Sequence, residues 1–136
     1  MSGPGSFAGS PSTTCNYTGG GASASCTVTL TSGQVGTTVV KASSTISVAG
    51  QSIVRETNTQ LNTDAGGSGN ASKVWVNANI QITPPTATNA VGTNHVLTIT
   101  VNVINGNVAS GTATATIVSG PGSFAGSPST TCNYTG

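Results

Sequence analysis

The chain is 136 residues long, enough for one hydrophobic core, and it carries only five formally charged side chains. These are Lys41, Arg55, Glu56, Asp64 and Lys73. Three scattered cations do not form the basic stripe that follows a nucleic-acid backbone, which excludes nucleic acid as a partner. No run approaches the roughly 20 apolar residues that span a bilayer, so we expect no membrane insertion.

The first half of the chain predicts short strands separated by turns. Residues 14–17 predict a short strand after a segment rich in Gly, Pro and Ser. Residues 25–32 and 37–48 alternate with the period of two that marks a half-buried strand. In the first run, Cys26, Val28 and Leu30 share one face. In the second run, one face carries Val40, Ala42, Ser44, Ile46 and Val48. Ala49-Gly50-Gln51 predicts a tight turn into a strand over residues 52–57.

The second half shows the clearest alternation. Val74, Val76, Ala78, Ile80 and Ile82 share one face of a strand that Pro84-Pro85 ends. A second strand places Leu97, Ile99, Val101 and Val103 on one face. Asn105-Gly106 predicts a hairpin into a strand over residues 112–118. Residues 120–129 predict a loop, and residues 131–134 a short strand that duplicates residues 14–17.

These patterns predict an all-β protein. Val, Ile and Thr dominate every apolar run, and no apolar residues recur at the three- and four-residue spacing of a helix. Residues 58–72 show no periodicity and include the run DAGGSG, which predicts a flexible linker and a domain boundary.

An internal repeat is the most informative feature. Residues 2–19 and residues 119–136 both read SGPGSFAGSPSTTCNYTG, at an offset of 117 residues. This period exceeds that of solenoid repeats and is close to the roughly 100 residues of an immunoglobulin-type sandwich. The repeat therefore predicts an array of whole domains, natural or engineered, of which this chain is one period plus an overlap.

The residues from position 73 onward carry a resemblance to a known family. They read KVWVNANIQITPPTATNAVGTNHVLTITVNVINGNVASGTATATIVSGPGSF, followed by CNYTGGGASASCTVTLTS and, in the other half, GTTVVKAS. This sequence resembles bacterial immunoglobulin-like repeat domains of large surface and adhesin-like proteins. The resemblance implies an immunoglobulin-like β-sandwich of about seven strands.

The same resemblance implies that the chain is out of phase with the natural domain. Residues 14–57 would be the back half of one unit, residues 58–72 a linker, and residues 73–136 the front half of the next unit. Either the halves close within one chain as a circular permutant, or strand exchange between chains completes them. The duplicated segment leaves one spare strand, which is a donor for a neighbouring sheet edge.

The cysteines predict a disulfide and an oxidising compartment. Cys15 and Cys26 lie on either side of a glycine-rich turn, a spacing that a hairpin brings together. Cys132 is the copy of Cys15 and is the alternative partner of Cys26. A disulfide indicates an extracellular or cell-surface location. Three cysteines and the distant His95 do not match a zinc site, and we predict no metal, cofactor or catalytic residue.

An intramolecular isopeptide bond is a further hypothesis, since some surface immunoglobulin-like domains form one. Lys73 or Lys41 would supply the amine, with Glu56 or Asp64 as the assisting acid. This chemistry needs a lysine, an asparagine and a buried acid that converge; solvated lysines are the alternative.

Three functions follow from these features. The first is a non-enzymatic stalk or spacer repeat of a tandem-domain surface protein. The second is a head-to-tail filament subunit that assembles through the duplicated segment. The third is an adhesin domain that binds a glycan or a protein. The expected partners are neighbouring copies or adjacent repeats in the first two cases.

Overall fold

The computed structural model describes residues 1–9, 13–126 and 130–136, and in them the chain is built almost entirely of β-strands. The elements in chain order are β1 (Ser6–Ala8), β2 (Thr29–Thr31), β3 (Gly36–Val40), β4 (Ser43–Val48), β5 (Gln51–Glu56), α1 (Gln60–Asp64), β6 (Ala71–Trp75), β7 (Asn77–Thr83), β8 (Thr98–Ile104), β9 (Gly111–Thr114) and β10 (Thr131–Tyr134). The predicted all-β class is confirmed.

The chain divides into two compact units, Met1–Trp75 and Val76–Gly136. In the first unit, β1 pairs with β2, β3 with β6, and β4 with β5. In the second unit, β7 pairs with β8 and β9 with β10. All five pairs are antiparallel and two-stranded within the described residues.

The run 37–48, predicted as one strand, forms two strands that belong to different sheets. β3 pairs with β6, whereas β4 pairs with β5, so the chain must leave one ladder before it enters the other. The break falls at residues 41 and 42. Ala42 remains tied to Thr57, whose amide N donates to the Ala42 carbonyl O over 2.9 Å.

The predicted turn between β4 and β5 is present. Val48 pairs with Gln51, which leaves Ala49 and Gly50 as a two-residue loop. Both loop residues have positive φ angles, 49° and 78°. This is the geometry of a turn whose twist matches that of the two strands it joins.

Residues 58–72, predicted to be a linker without regular structure, contain the short helix α1. Thr63 N donates to the Thr59 carbonyl O over 3.0 Å. Gly66 has a φ of 81° and donates its N–H to the Thr63 carbonyl O, which ends the turn as glycine ends many helices. Asn58 N donates to the Ser68 carbonyl O over 3.1 Å, so the segment closes on itself locally.

In the second unit, β7 and β8 form the longest ladder, with seven paired residues on each strand. The run from Val74 to Ile82, predicted as one strand, divides at Val76: Val74 lies in β6, which pairs with β3, and β7 begins at Asn77. β7 ends at Thr83, before Pro84, as the sequence predicts. Ile80 opposes Val101 and Ile82 opposes Ile99, so the two alternating patterns share one apolar face.

The predicted hairpin from β8 into the next strand is wrong. β9 pairs with β10 rather than with β8. Asn105 has the expected positive φ of 63°, but residues 105–110 separate β8 from β9 and are too many for a two-residue turn. Residues 120–126 form no strand, in agreement with the predicted loop; residues 127–129 of that loop lie outside the described residues.

Little side-chain surface is buried in either unit. Among the described residues, Ala113 is the one buried hydrophobic residue and Thr38 the one buried polar residue. The accessible surface totals 10288 Å². Two separate compact bodies of half the chain's mass would together expose roughly 7,700 Å². The excess shows that apolar sheet faces are left uncovered, including Ile80 at 63% and Val54 at 65% exposure.

Candidate functional site

The repeated segment lies in a different environment in each unit, and these two environments form the candidate site. Residues 2–9 and 13–19 belong to the first copy, and residues 119–126 and 130–136 to the second. Each residue of the second copy corresponds to the residue 117 positions earlier.

The first part of the first copy, residues 2–8, is held to its unit mainly through backbone hydrogen bonds. Ser2 and Val39 exchange N–H···O hydrogen bonds of 3.0 and 2.9 Å. Further along, β1 pairs with β2, with Phe7 opposite Leu30. A Cβ on Gly3, whose φ is 89°, would collide with the Thr37 carbonyl O. Glycine at position 3 therefore allows the close approach of the two backbones.

Thr38 ties this segment to the β3–β6 sheet. Its side chain is fully buried at 0% exposure. The hydroxyl donates to the Pro4 carbonyl O and accepts a 2.7 Å hydrogen bond from Trp75 Nε1. One hydroxyl thus links the repeated segment, β3 and β6. Thr38 lies on the same face of β3 as Val40. The alternation in residues 37–48 did not identify it, because threonine is polar and is not counted in an apolar pattern.

The end of the first copy is held by side chains. Cys15 forms a disulfide with Cys26, the pairing predicted first from the spacing, with the two Cα atoms 5.7 Å apart. The Tyr17 hydroxyl lies 2.7 Å from Ser44 Oγ at hydrogen-bond distance. Residues 14–17 form no strand, so the prediction of one there is wrong. Within this stretch the side chains of Cys15 and Tyr17 have partners, whereas the backbone takes part in no ladder.

The second copy shows the reverse arrangement. Residues 131–134 form β10, with Cys132 opposite Ala113 and Tyr134 opposite Gly111. Just before β10, the Thr130 carbonyl O accepts a 2.8 Å hydrogen bond from Ala115 N. Cys132 is a free and exposed thiol, so the alternative pairing with Cys26 is absent. Residues 122–125, the counterpart of β1 and the glycine before it, form no strand.

The two sets of contacts overlap at one side chain, the tyrosine: Tyr17 contacts Ser44, whereas the ring of Tyr134 lies against Gly111. The first copy uses the backbone of residues 2, 4 and 6–8 and the side chains of Cys15 and Tyr17. The second copy uses the backbone of residues 130–134 and the amide of Asn133, whose Oδ1 accepts from Thr112 Oγ1 over 2.9 Å. Apart from that tyrosine side chain, a single copy of the segment has the atoms to make both sets at once.

Each copy also lines an open groove within its own unit. The groove in the first unit has a volume of about 620 Å³, and that in the second about 540 Å³. Corresponding residues of the repeat line both: Phe7 and Phe124, Thr13 and Thr130, Thr14 and Thr131, and Cys15 and Cys132. The remaining walls mix apolar and polar side chains: Val28 and Val40 lie with Lys41, Arg55 and Glu56 in the first unit, and Leu97 and Ile117 lie with Asn94 and His95 in the second.

The residues considered for an isopeptide bond lie in two places. Lys41 Nζ contacts both carboxylate oxygens of Glu56 at 3.0 Å, and their side chains are 57% and 37% exposed. Lys73 Nζ lies 5.9 Å from the centre of the Trp75 ring, a cation–π contact. The Lys41–Glu56 pair is a solvated ion pair rather than a buried amine and acid, and the isopeptide bond stays a prediction.

His95 is exposed and lines the groove of the second unit. Within residues 1–9, 13–126 and 130–136, no three His, Cys, Asp or Glu side chains gather closely enough to hold a metal ion. In the same residues no helix has the length and apolar character to cross a membrane.

Comparison with known proteins gives no match to any family model, curated protein or solved structure. The features of the chain that bear on function are its own repeat and the contacts of the two copies.

Proposed function

We propose that the chain is a structural repeat unit, a stalk or spacer, of an extracellular or cell-surface tandem-domain protein. The observation that carries this proposal is the identical eighteen-residue segment at an offset of 117 residues. A period of this length suits a train of whole domains rather than a solenoid.

In such an array the immunoglobulin-like sandwich would form from residues 73–136 of one repeat and residues 19–57 of the next. The uncovered apolar faces support this assignment, since a two-stranded sheet is only marginally stable until its apolar face is packed. Ile80 and Ile82 on β7 are 63% and 49% exposed, and Ile46 and Val48 on β4 are 37% and 52% exposed. Joining the two halves would cover faces of this kind.

The Cys15–Cys26 disulfide supports the extracellular assignment, because disulfides persist mainly in oxidising compartments. Beyond residue 73 the chain has no formally charged side chain, so its surface there depends on Thr, Ser, Asn and Gly for hydration. This lack of charge is compatible with a spacer, because a spacer does not need charged side chains to bind a ligand or to catalyse a reaction.

The test is the length of defined arrays. Chains of two and six periods, each closed by residues 119–136, would be compared by small-angle scattering. A spacer array grows along one dimension, so its maximum dimension should rise by about threefold. A compact globule would lengthen by only about 1.5-fold, and that result would refute the spacer function.

A glycan array probed with the single chain provides the opposing test. Selective binding of one glycan class by the single chain would favour the adhesin hypothesis instead.

A further inference from the structure

The site that holds the first copy of the repeated segment has a definite composition, and we call it the acceptor surface. It comprises β2, Thr38, Val39, Cys26 and Ser44. Because residues 119–136 have the same sequence as residues 2–19, they carry every group that this surface binds. Ser119, Phe124, Cys132 and Tyr134 correspond to Ser2, Phe7, Cys15 and Tyr17.

The second copy keeps these groups available. Residues 122–125 form no strand, so the ladder edge that β1 gives to β2 is unused in the second copy. The Cys132 thiol is exposed although the backbone around it pairs with β9. The second copy can therefore keep the backbone pairing of β9 with β10 while it binds an acceptor surface, but the Tyr134 ring must leave Gly111 to reach Ser44 of the next copy.

We propose that the partner of this chain is a second copy of itself, bound head to tail: residues 119–136 of one copy occupy the acceptor surface of the next in place of its own residues 2–19. This inference deepens the proposed repeat-unit function, because it makes one eighteen-residue segment the joint between successive units. Phe124 would pair opposite Leu30 of the next copy, as Phe7 does within its own unit.

The covalent part of the joint is a thiol–disulfide exchange. The Cys132 thiolate of the donor copy attacks Cys26 Sγ of the acceptor, the Cys132–Cys26 bond forms, and the Cys15–Cys26 bond breaks. Cys15 leaves as a thiolate and takes up the proton that Cys132 released. One disulfide and one thiol are present before and after, so the step consumes no oxidant.

In the isolated chain, the first copy competes with the incoming one. The two bind the same surface through the same groups, but the first copy is tethered, and a short tether gives an effective concentration in the millimolar range. The intact chain should therefore associate only at protein concentrations on the order of 1 mM. Weakening the first copy alone should lower that concentration.

The repeat offers matched variants that make the test specific. Phe7→Pro in the full chain removes a ladder residue and a large apolar side chain from the first copy, so association should begin at a protein concentration about 10- to 100-fold lower than in the wild type. Phe124→Pro makes the same change in the second copy and should abolish association. The double variant should stay monomeric. Sedimentation velocity across a concentration series measures all four chains.

Changes of the same sign in Phe7→Pro and Phe124→Pro would overturn the proposal, because a general loss of stability acts alike in both. A second measurement does not depend on either variant. Wild-type chains, half of them labelled with ¹⁵N, are mixed in a glutathione redox buffer at a protein concentration of about 1 mM. At this concentration the tethered first copy and the free second copy of another chain compete evenly for the acceptor surface. Disulfide-linked peptides are then mapped by mass spectrometry.

Peptides that join Cys132 of one isotope to Cys26 of the other would support the joint. Cys132–Cys26 peptides of matched isotope only would overturn it, since closure would then occur within one chain. Cys15–Cys26 peptides alone would also overturn it. Neither result would bear on whether covalently linked arrays extend, so failure of the joint is distinguishable from failure of the spacer function.

Discussion

Thr38→Val is the substitution that tests most directly how the first copy of the repeat is held. The variant exchanges a hydroxyl for a methyl group of nearly the same shape in a side chain that is fully buried. It removes the donor to the Pro4 carbonyl O and the acceptor of the Trp75 Nε1 hydrogen bond. The backbone pairing of β3 with β6 does not involve the side chain and should persist.

The magnitude follows from those two hydrogen bonds. Each is worth about 1 kcal/mol net, and a group left without its partner in a buried position costs more. Pro4 and Trp75 are half-buried, so water can partly replace the lost partner. The extra methyl group returns a fraction of a kcal/mol by burial. We expect the free energy of unfolding of the first unit to fall by about 2 kcal/mol.

Trp75 is the one tryptophan of the chain and lies in the first unit, so its fluorescence reports unfolding there. With a urea dependence of about 1 kcal/mol/M, as for small proteins, the unfolding midpoint of Thr38→Val should lie about 2 M below that of the wild type. Thr37→Val is the control, because Thr37 is exposed on the same strand and should change the midpoint little. Equal midpoints for the two variants would refute the role assigned to the Thr38 hydroxyl.

Two further predictions use the same unfolding measurement together with hydrogen exchange. Gly3→Ala and Gly120→Ala both place alanine at a positive φ, 89° and 93°, but only at Gly3 does the new Cβ collide with the Thr37 carbonyl O. Gly3→Ala should therefore accelerate amide exchange near residue 39 whereas Gly120→Ala should not, and equal exchange would contradict the close approach. Reduction of the Cys15–Cys26 disulfide, which closes a loop with a sequence separation of 11 residues, should lower the stability of the first unit by about 3 kcal/mol; a change below about 1 kcal/mol would contradict that assignment.

The alternating pattern predicted most of β7 and β8, but it joined β7 to the end of β6 across the unit boundary and extended β9, which ends at Thr114, to residue 118. β7 and β8 follow it closely because both strands lie in one long ladder, and Pro84 ends β7 as the missing N–H requires. The disulfide was also predictable, since Cys15 and Cys26 are close along the chain and local spacing constrains their distance.

What the pattern did not predict are features set by pairing between distant segments. The run 37–48 alternates without interruption, yet it divides at residue 41 because β3 and β4 take partners from different parts of the chain. The helix α1 is five residues long, too short for a helical periodicity to appear in the sequence. Its boundaries depend on hydrogen bonds of Thr59, Thr63 and Gly66 rather than on an apolar face.

The repeated segment shows most clearly that distant pairing determines secondary structure, because its two copies share every residue and still differ in secondary structure. Residues 131–134 form a strand and residues 14–17 do not, while Ser6–Ala8 forms a strand and residues 123–125 do not. Local propensity is identical in the two copies, so the difference must come from the neighbouring sequence that each copy can reach. The first copy lies before β2 and Cys26, and the second lies after β9.

The overlap of eighteen residues determines how many copies of the segment are available to pair with β9 and to fill the acceptor surface. A chain of 117 residues would hold one copy of the segment, which would have to serve β9 and the acceptor surface together or leave one of them open. With two copies, the first copy fills the acceptor surface and the second pairs with β9, so each copy makes one set of contacts. Inside a longer array every internal segment has β9 before it and an acceptor surface after it. Each such segment would then make both sets of backbone contacts and place its one tyrosine side chain either against Gly111 or near Ser44. Only the terminal segments would resemble those of this chain.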